Sequence, residues 1–137
     1  MTLNNARPAR AWVSIDVVSA ILYACAIFVV GSLPGATAVA KNVSDKLQHA
    51  LGFALLAWIW CRALRRLRPD WTLPRLTGRS AALSVALGGA LELWQGQLGY
   101  RSCELLDWVA DAVGAGIGVG IYAALAAARG ARPRAAE

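Results

Sequence analysis

Four stretches of mostly apolar residues, separated by short polar connections, make up most of the chain. A transmembrane helix needs about 20 such residues, and each stretch is of about that length. Apolar and polar positions do not alternate with the two-residue period of a strand. The pattern therefore predicts an all-α, polytopic membrane protein, a bundle of four transmembrane helices in one domain over residues 1–137. The predicted helices are Ala11–Leu33, Leu47–Leu64, Ser80–Leu98 and Leu106–Ala128.

The composition supports this class of protein and excludes two others. Of the 137 residues, 58% are hydrophobic and 16% are charged, and the mean hydropathy is +0.48. A soluble domain carries about 25% charged residues, and a disordered chain combines low hydrophobicity with high net charge. The chain fits neither description, and its length allows one domain.

Basic residues are distributed unevenly between the two sides of the predicted bundle. Cytoplasmic ends of membrane helices are enriched in Lys and Arg. The termini and the second connection hold eleven basic residues, whereas the first and third connections hold only Lys41, Lys46 and Arg101. We therefore expect both termini in the cytoplasm and the first and third connections outside. The eleven residues are Arg7, Arg10, Arg62, Arg65, Arg66, Arg68, Arg75, Arg79, Arg129, Arg132 and Arg134.

A nucleic-acid partner and a cleaved signal peptide are both less favoured. The net charge of +6 does not predict a nucleic-acid partner, because the basic residues are not interleaved with base-stacking aromatics on a soluble surface. The first apolar stretch, followed by Ala38-Val39-Ala40, resembles a secretory signal with its cleavage site. That stretch is longer than the 7–15 apolar residues of a signal core, so we expect a retained helix.

Seven polar residues in or beside the apolar stretches all fall at the predicted outer end. Such groups are costly in a bilayer and usually face the bundle interior or an aqueous cavity. Because four separate segments contribute, we expect one shared polar site. The residues are Asp45, His49, Glu92, Gln95, Arg101, Asp107 and Asp111.

Purely structural roles for these residues are left open by the sequence. Asp45 and Asp107 could be first-turn residues that meet the positive end of a helix dipole. Glu92, deep in an apolar run, could pair with Arg101 or His49 and hold helices together. The polar network could then serve packing alone.

The residue types in this polar site limit the chemistry that it could perform. Glu92 and His49 are the candidate catalytic pair, as general acid and base. Lys46 and Arg101 could hold a phosphate, with Asp45, Gln95, Asp107 and Asp111 as further substrate-binding candidates. The carboxylates could instead hold a hard divalent cation, but no metal-ligand spacing or cofactor motif is present, so no metal and no cofactor are predicted.

Glycines are concentrated in the fourth stretch. Gly114 and Gly118, and likewise Gly116 and Gly120, have the GxxxG spacing that lets membrane helices approach closely. The spacing predicts tight packing beside the polar site. It also makes a homo-oligomer through Gly114 and Gly118 an option.

The polar motifs resemble those of the VanZ-like family, small membrane proteins named for a protein linked to teicoplanin resistance. The family pattern runs S-x-P, D-K-x-x-H, E-x-x-Q, then Arg, Asp and a glycine-rich tail, and it is matched over about 32–120. The chain has Asp111 where the family usually has Asn. The matching residues are Ser32, Pro34, Asp45, Lys46, His49, Glu92, Gln95, Arg101, Ser102, Asp107 and Gly114.

This resemblance implies a protein of the bacterial cell envelope, in the cytoplasmic membrane, with a relation to glycopeptide susceptibility. It implies no reaction, so three function classes stay open. The first is an enzyme or binding protein for an envelope lipid or a lipid-linked glycan. The second is a small transporter, although the predicted helices lack a chain of polar residues along their inner half, where Asp16 alone lies near the cytoplasmic end of the first helix. The third is a structural or assembly protein.

Overall fold

The computed structural model describes residues 9–34 and 44–130, with side chains over 15–34 and 44–129. These residues form four helices and no strand, which confirms the predicted all-α bundle. The helices are α1 (Ala9–Ser32), α2 (Asp45–Leu67), α3 (Leu73–Gln95) and α4 (Leu105–Gly130). The candidate cleavage site at 38–40, Lys41 and the basic residues at 7, 132 and 134 lie outside the described residues.

The predicted bounds of the third helix were wrong at both ends. α3 begins at Leu73, with Pro74 in its first turn, where proline is tolerated because that N–H has no helical partner. Arg75 and Arg79 therefore lie in α3 and not in the second connection. α3 ends at Gln95 rather than at Leu98.

Of the four described helices, three are long and apolar enough to cross a membrane, over 15–32, 45–67 and 105–129, and the chain is a membrane protein. α3 is less apolar because its polar and small residues form a stripe. Ser80, Ser84, Gly88 and Glu92 recur every four residues and are all buried. The stripe faces the bundle, so α3 presents its apolar face outward.

α2 and α4 pack closest, through glycines. A Cβ atom added to Gly114 would collide with the backbone of Ala50, and one added to Gly118 with that of Ala54. Only helices that touch backbone to backbone leave so little space, as the GxxxG spacing predicted. Both glycines are buried against α2 within this one chain. A homo-oligomer through them stays a prediction.

The helix order places unlike groups at the two ends of the bundle. The polar end, as we call it, contains the C-terminal ends of α1 and α3 and the N-terminal ends of α2 and α4. At the opposite, basic end, Asp16 of α1 accepts from Arg62 at 2.9 Å and Arg66 at 3.1 Å of α2. This pairing aligns α1 with α2.

Candidate functional site

An ion-pair group joins the first turns of α2 and α4 at the polar end. Ser44 caps α2 by accepting the Leu47 N–H at 3.2 Å, and Lys46 follows in the first turn. The Lys46 Nζ donates to Asp107 Oδ1 at 2.9 Å and to Glu104 Oε2 at 3.4 Å. Lys46 is thus held by two carboxylates.

His49 lies one turn deeper, between the two aspartates of α4. Its Nδ1 is 2.9 Å from Asp111 Oδ1, and its Nε2 is 3.9 Å from Asp107 Oδ2. A hydrogen on Nδ1 would be donated to Asp111, which leaves Nε2 directed towards Asp107. Asp111 is fully buried and occupies the space beside Gly88, where a Cβ atom would lie 2.5 Å from Oδ2.

Glu92 is 3% exposed and is oriented by the start of α4. Its Oε2 accepts the backbone N–H of Glu104 at 2.9 Å, next to the first residue of that helix. A carboxylate is stabilised there by the positive end of the helix dipole. The sequence left Arg101 or His49 open as the partner of Glu92. The pairing with Arg101 is wrong, because Arg101 donates to the Gly31 carbonyl, and Glu92 Oε1 is buried without a hydrogen-bond partner among the described residues.

Gln95 and Arg101 bind the C-terminal end of α1. The last carbonyl groups of a helix lack partners within the helix. The Gly31 carbonyl accepts from Gln95 Nε2 at 2.7 Å and from Arg101 at 3.0 Å, and Tyr100 donates to the Ser32 carbonyl at 2.7 Å. The third connection therefore caps α1, while Arg101 Nε stays buried without a partner among the described residues.

A cavity of about 320 Å³ opens among α1, α2 and α3. At the polar end its wall is formed by Asp45, Gln48, His49 and Arg101, and away from that end it is apolar. Volumes of about 300–1,000 Å³ are usual for small-molecule sites. The apolar part of the wall is formed by Tyr23, Ala26, Ile27, Val30, Gly31, Gly52, Phe53 and Leu91.

The eight predicted site residues therefore all lie at one end of the bundle. Asp45, His49 and Arg101 line the cavity, whereas Lys46 and Asp107 form the ion pair between α2 and α4. Asp45 and Asp107 are confirmed as first-turn residues. Which of the eight are functional stays a prediction.

Glu104 was missed in the sequence, although it binds Lys46 and donates its N–H to Glu92. Its position just before an apolar stretch was the signal that could have identified it, because residues that precede a helix often bind its free N–H groups or a neighbouring helix.

Two overlapping groups of side chains have metal-ligand chemistry. One ligand atom from each of His49, Glu92 and Asp111 lies within 4.8 Å of the other two, and the same holds for Asp45, His49 and Asp107. Imidazole nitrogen and carboxylate oxygen are ligands that several divalent metals accept. The arrangement could also transfer a proton between Glu92 or Asp111 and His49.

Comparisons with protein-family models, curated proteins and solved structures found no match for this chain. The resemblance to the VanZ-like family consequently rests on the residues and spacings of the sequence itself.

Proposed function

We propose that the chain is a VanZ-like protein of the bacterial cytoplasmic membrane whose polar end faces outward and binds an envelope lipid or a lipid-linked glycan. Both termini are cytoplasmic in this proposal, as the eleven-to-three distribution of basic residues predicts. Its relation to glycopeptide susceptibility, which the family resemblance implies, would follow from handling such a lipid.

The amphipathic cavity is the observation that carries the proposal. A lipid has an anionic head and an apolar tail, and the cavity offers a cation, Arg101, at one end and apolar side chains beyond it. Arg101 has a buried Nε–H without a partner among the described residues, and a guanidinium group can donate several hydrogen bonds to a phosphate. Binding would satisfy that donor.

Lys46 supports the proposal less directly than Arg101. Its ammonium group is bound by Asp107 and Glu104, and it is absent from the cavity wall as described. A phosphate would have to displace a carboxylate to reach Lys46. Arg101 is therefore the primary headgroup ligand in this proposal.

The experiment measures retention of a polyprenyl phosphate by the full chain, purified in detergent and analysed by native mass spectrometry. Arg101→Gln removes the cation, and Gly52→Leu fills the apolar part of the cavity, where a Cβ atom would meet only Ile27, at 4.0 Å. We expect Arg101→Gln to weaken binding by about tenfold or more, since a charge-assisted hydrogen bond contributes about 1.5–3 kcal/mol. Gly52→Leu should also weaken binding, because it removes space for the apolar tail.

Gly116→Leu is the matched control, because nothing lies within 4 Å of a Cβ atom on Gly116. It should retain the lipid like the unaltered chain. Equal retention by Arg101→Gln and Gly52→Leu would refute the proposed lipid site.

A purely structural role is the alternative that a specific observation favours. Lys46, His49 and Gln95 each join two helices by a hydrogen bond. If the whole polar network, including Glu92, serves helix packing alone, a conservative change should not affect function. Glu92→Gln, which keeps the shape and one acceptor oxygen, should then leave any glycopeptide-susceptibility effect in a host strain unchanged. Loss of the effect in a stably folded variant would exclude this alternative.

A further inference from the structure

The polar end contains more acidic than basic groups. Among the described residues, five carboxylates lie at this end, whereas Lys46 and Arg101 are the only lysine and arginine there. All five lie close to Lys46 or to His49. The five are Asp45, Glu92, Glu104, Asp107 and Asp111.

Two of these carboxylates are buried and incompletely bonded. Glu92 and Asp111 are 3% and 0% exposed. Glu92 accepts the Glu104 N–H with one oxygen, and Asp111 is hydrogen-bonded to His49 through one oxygen. The other oxygen of each, Glu92 Oε1 and Asp111 Oδ2, is buried without a partner in the described part of the chain. A buried, unbalanced carboxylate is costly unless it is paired or coordinates a metal.

We propose that His49, Glu92 and Asp111 bind a divalent cation. The three ligands come from α2, α3 and α4, and their ligand atoms lie within 4.8 Å of one another. Ligands at about 2.0–2.2 Å from Zn²⁺ are separated from each other by roughly 3–4 Å, so small side-chain movements would complete the site. The cation would also offset the excess negative charge.

The ligand set selects the class of cation. One imidazole nitrogen with two carboxylate oxygens suits Zn²⁺ or Mn²⁺, whereas Mg²⁺ and Ca²⁺ prefer oxygen ligands alone. Asp107, whose Oδ2 is 3.9 Å from His49 Nε2, would contribute charge from the adjacent turn. The proposed ligand set, which includes an imidazole nitrogen, therefore differs from the all-oxygen set that the carboxylates alone would offer.

This inference deepens the proposed function through His49, which lines the cavity and is also one of the three proposed ligands, whereas Glu92 and Asp111 are not part of the cavity wall. A lipid phosphate approaching five carboxylates would be repelled, and a divalent cation would give it a positive partner beside Arg101. Metal binding is nevertheless measured without lipid. If the EDTA-treated chain still retains the polyprenyl phosphate, the cation has no part in lipid binding and the lipid proposal stands. If the chain binds metal but no lipid, the lipid proposal alone is refuted.

The test uses the full chain in detergent, treated with EDTA and then given Zn²⁺, Mn²⁺ or Mg²⁺ singly. Bound metal per chain is measured by mass spectrometry, and the melting temperature is followed by tryptophan fluorescence. We expect about one Zn²⁺ or Mn²⁺ per chain, a higher melting temperature with that ion, and a weaker effect of Mg²⁺.

Asp111→Asn and Glu92→Gln should each raise the dissociation constant for the metal ion by about tenfold or more. Even the loss of a residue that only hydrogen-bonds to a metal ligand weakens metal binding by at least about tenfold. Asp70→Asn, a change at an exposed carboxylate of the α2–α3 connection, is the matched control and should bind normally. Cys103→Ser is included because Cys103 is an exposed free thiol that could bind Zn²⁺ itself.

No bound ion above the buffer blank in the unaltered chain would overturn the proposal. So would normal binding by Asp111→Asn, or complete loss of binding in Cys103→Ser. Where a ligand variant fails to fold, the absence of a bound ion in the unaltered chain still overturns the proposal, and Cys103→Ser still tests whether that thiol holds the ion.

Discussion

Gly114→Ala tests the packing that brings the two halves of the polar end together. The added Cβ atom would lie 2.8 Å from both the carbonyl carbon and the Cα of Ala50 and would collide with the carbonyl oxygen. These are backbone atoms of α2, so no side-chain rotation can relieve the overlap. α2 and α4 must move apart, and His49 would then separate from Asp111.

Two opposing effects decide the size of the change. Overpacking a tight contact costs about 1–3 kcal/mol. Alanine is favoured over glycine in a helix by about 1 kcal/mol, which offsets part of that cost. The control, Gly116→Ala, gains the helical preference alone, because nothing lies within 4 Å of its Cβ atom. The two variants should therefore differ by about 1–3 kcal/mol, with Gly114→Ala the less stable.

The assay is unfolding of both variants in the same detergent, followed by the fluorescence of the six tryptophans. Gly114→Ala should melt below Gly116→Ala, and Gly118→Ala, which meets the backbone of Ala54, should behave like Gly114→Ala. Equal melting temperatures for Gly114→Ala and Gly116→Ala would show that α2 and α4 do not touch through their backbones.

Three further outcomes are expected. A membrane-impermeant thiol reagent added to intact cells should label native Cys103 and miss Thr72→Cys in a background without other cysteines; the reverse order would refute the outward polar end. Ser84→Leu should destabilise the chain by about 1–3 kcal/mol through overpacking, whereas Ala82→Leu, on the exposed face of the same helix, should be nearly neutral. Equal effects of the two changes on the melting temperature would contradict the buried stripe. Gln95→Ala should lower the unfolding free energy by about 0.5–1.5 kcal/mol through loss of one hydrogen bond, and an unchanged melting temperature would show that the bond to α1 contributes nothing.

The sequence by itself determined the class of the fold and the end at which the polar residues gather. Apolar stretches of about 20 residues can satisfy their backbone groups in a bilayer only as helices, so four stretches predict four helices. With short connections, successive helices run in opposite directions, which brings His49, Glu92 and Asp111 to one end. The close packing at Gly114 and Gly118 was also predictable, because small residues at that spacing leave room only for another backbone.

Only the tertiary structure decided which polar groups are partners. Glu92 and Arg101 are nine positions apart, and proximity in sequence favoured a pair, yet Glu92 accepts from the start of α4 and Arg101 donates to the end of α1. The start of α3 was likewise missed, because the segment 73–79 contains Pro74, Arg75 and Arg79 and lacks the apolar run by which the helices were located. Apolar length locates a helix by its affinity for lipid, whereas hydrogen bonds between helices depend on how each helix is rotated, and that rotation is set by packing against all of its neighbours.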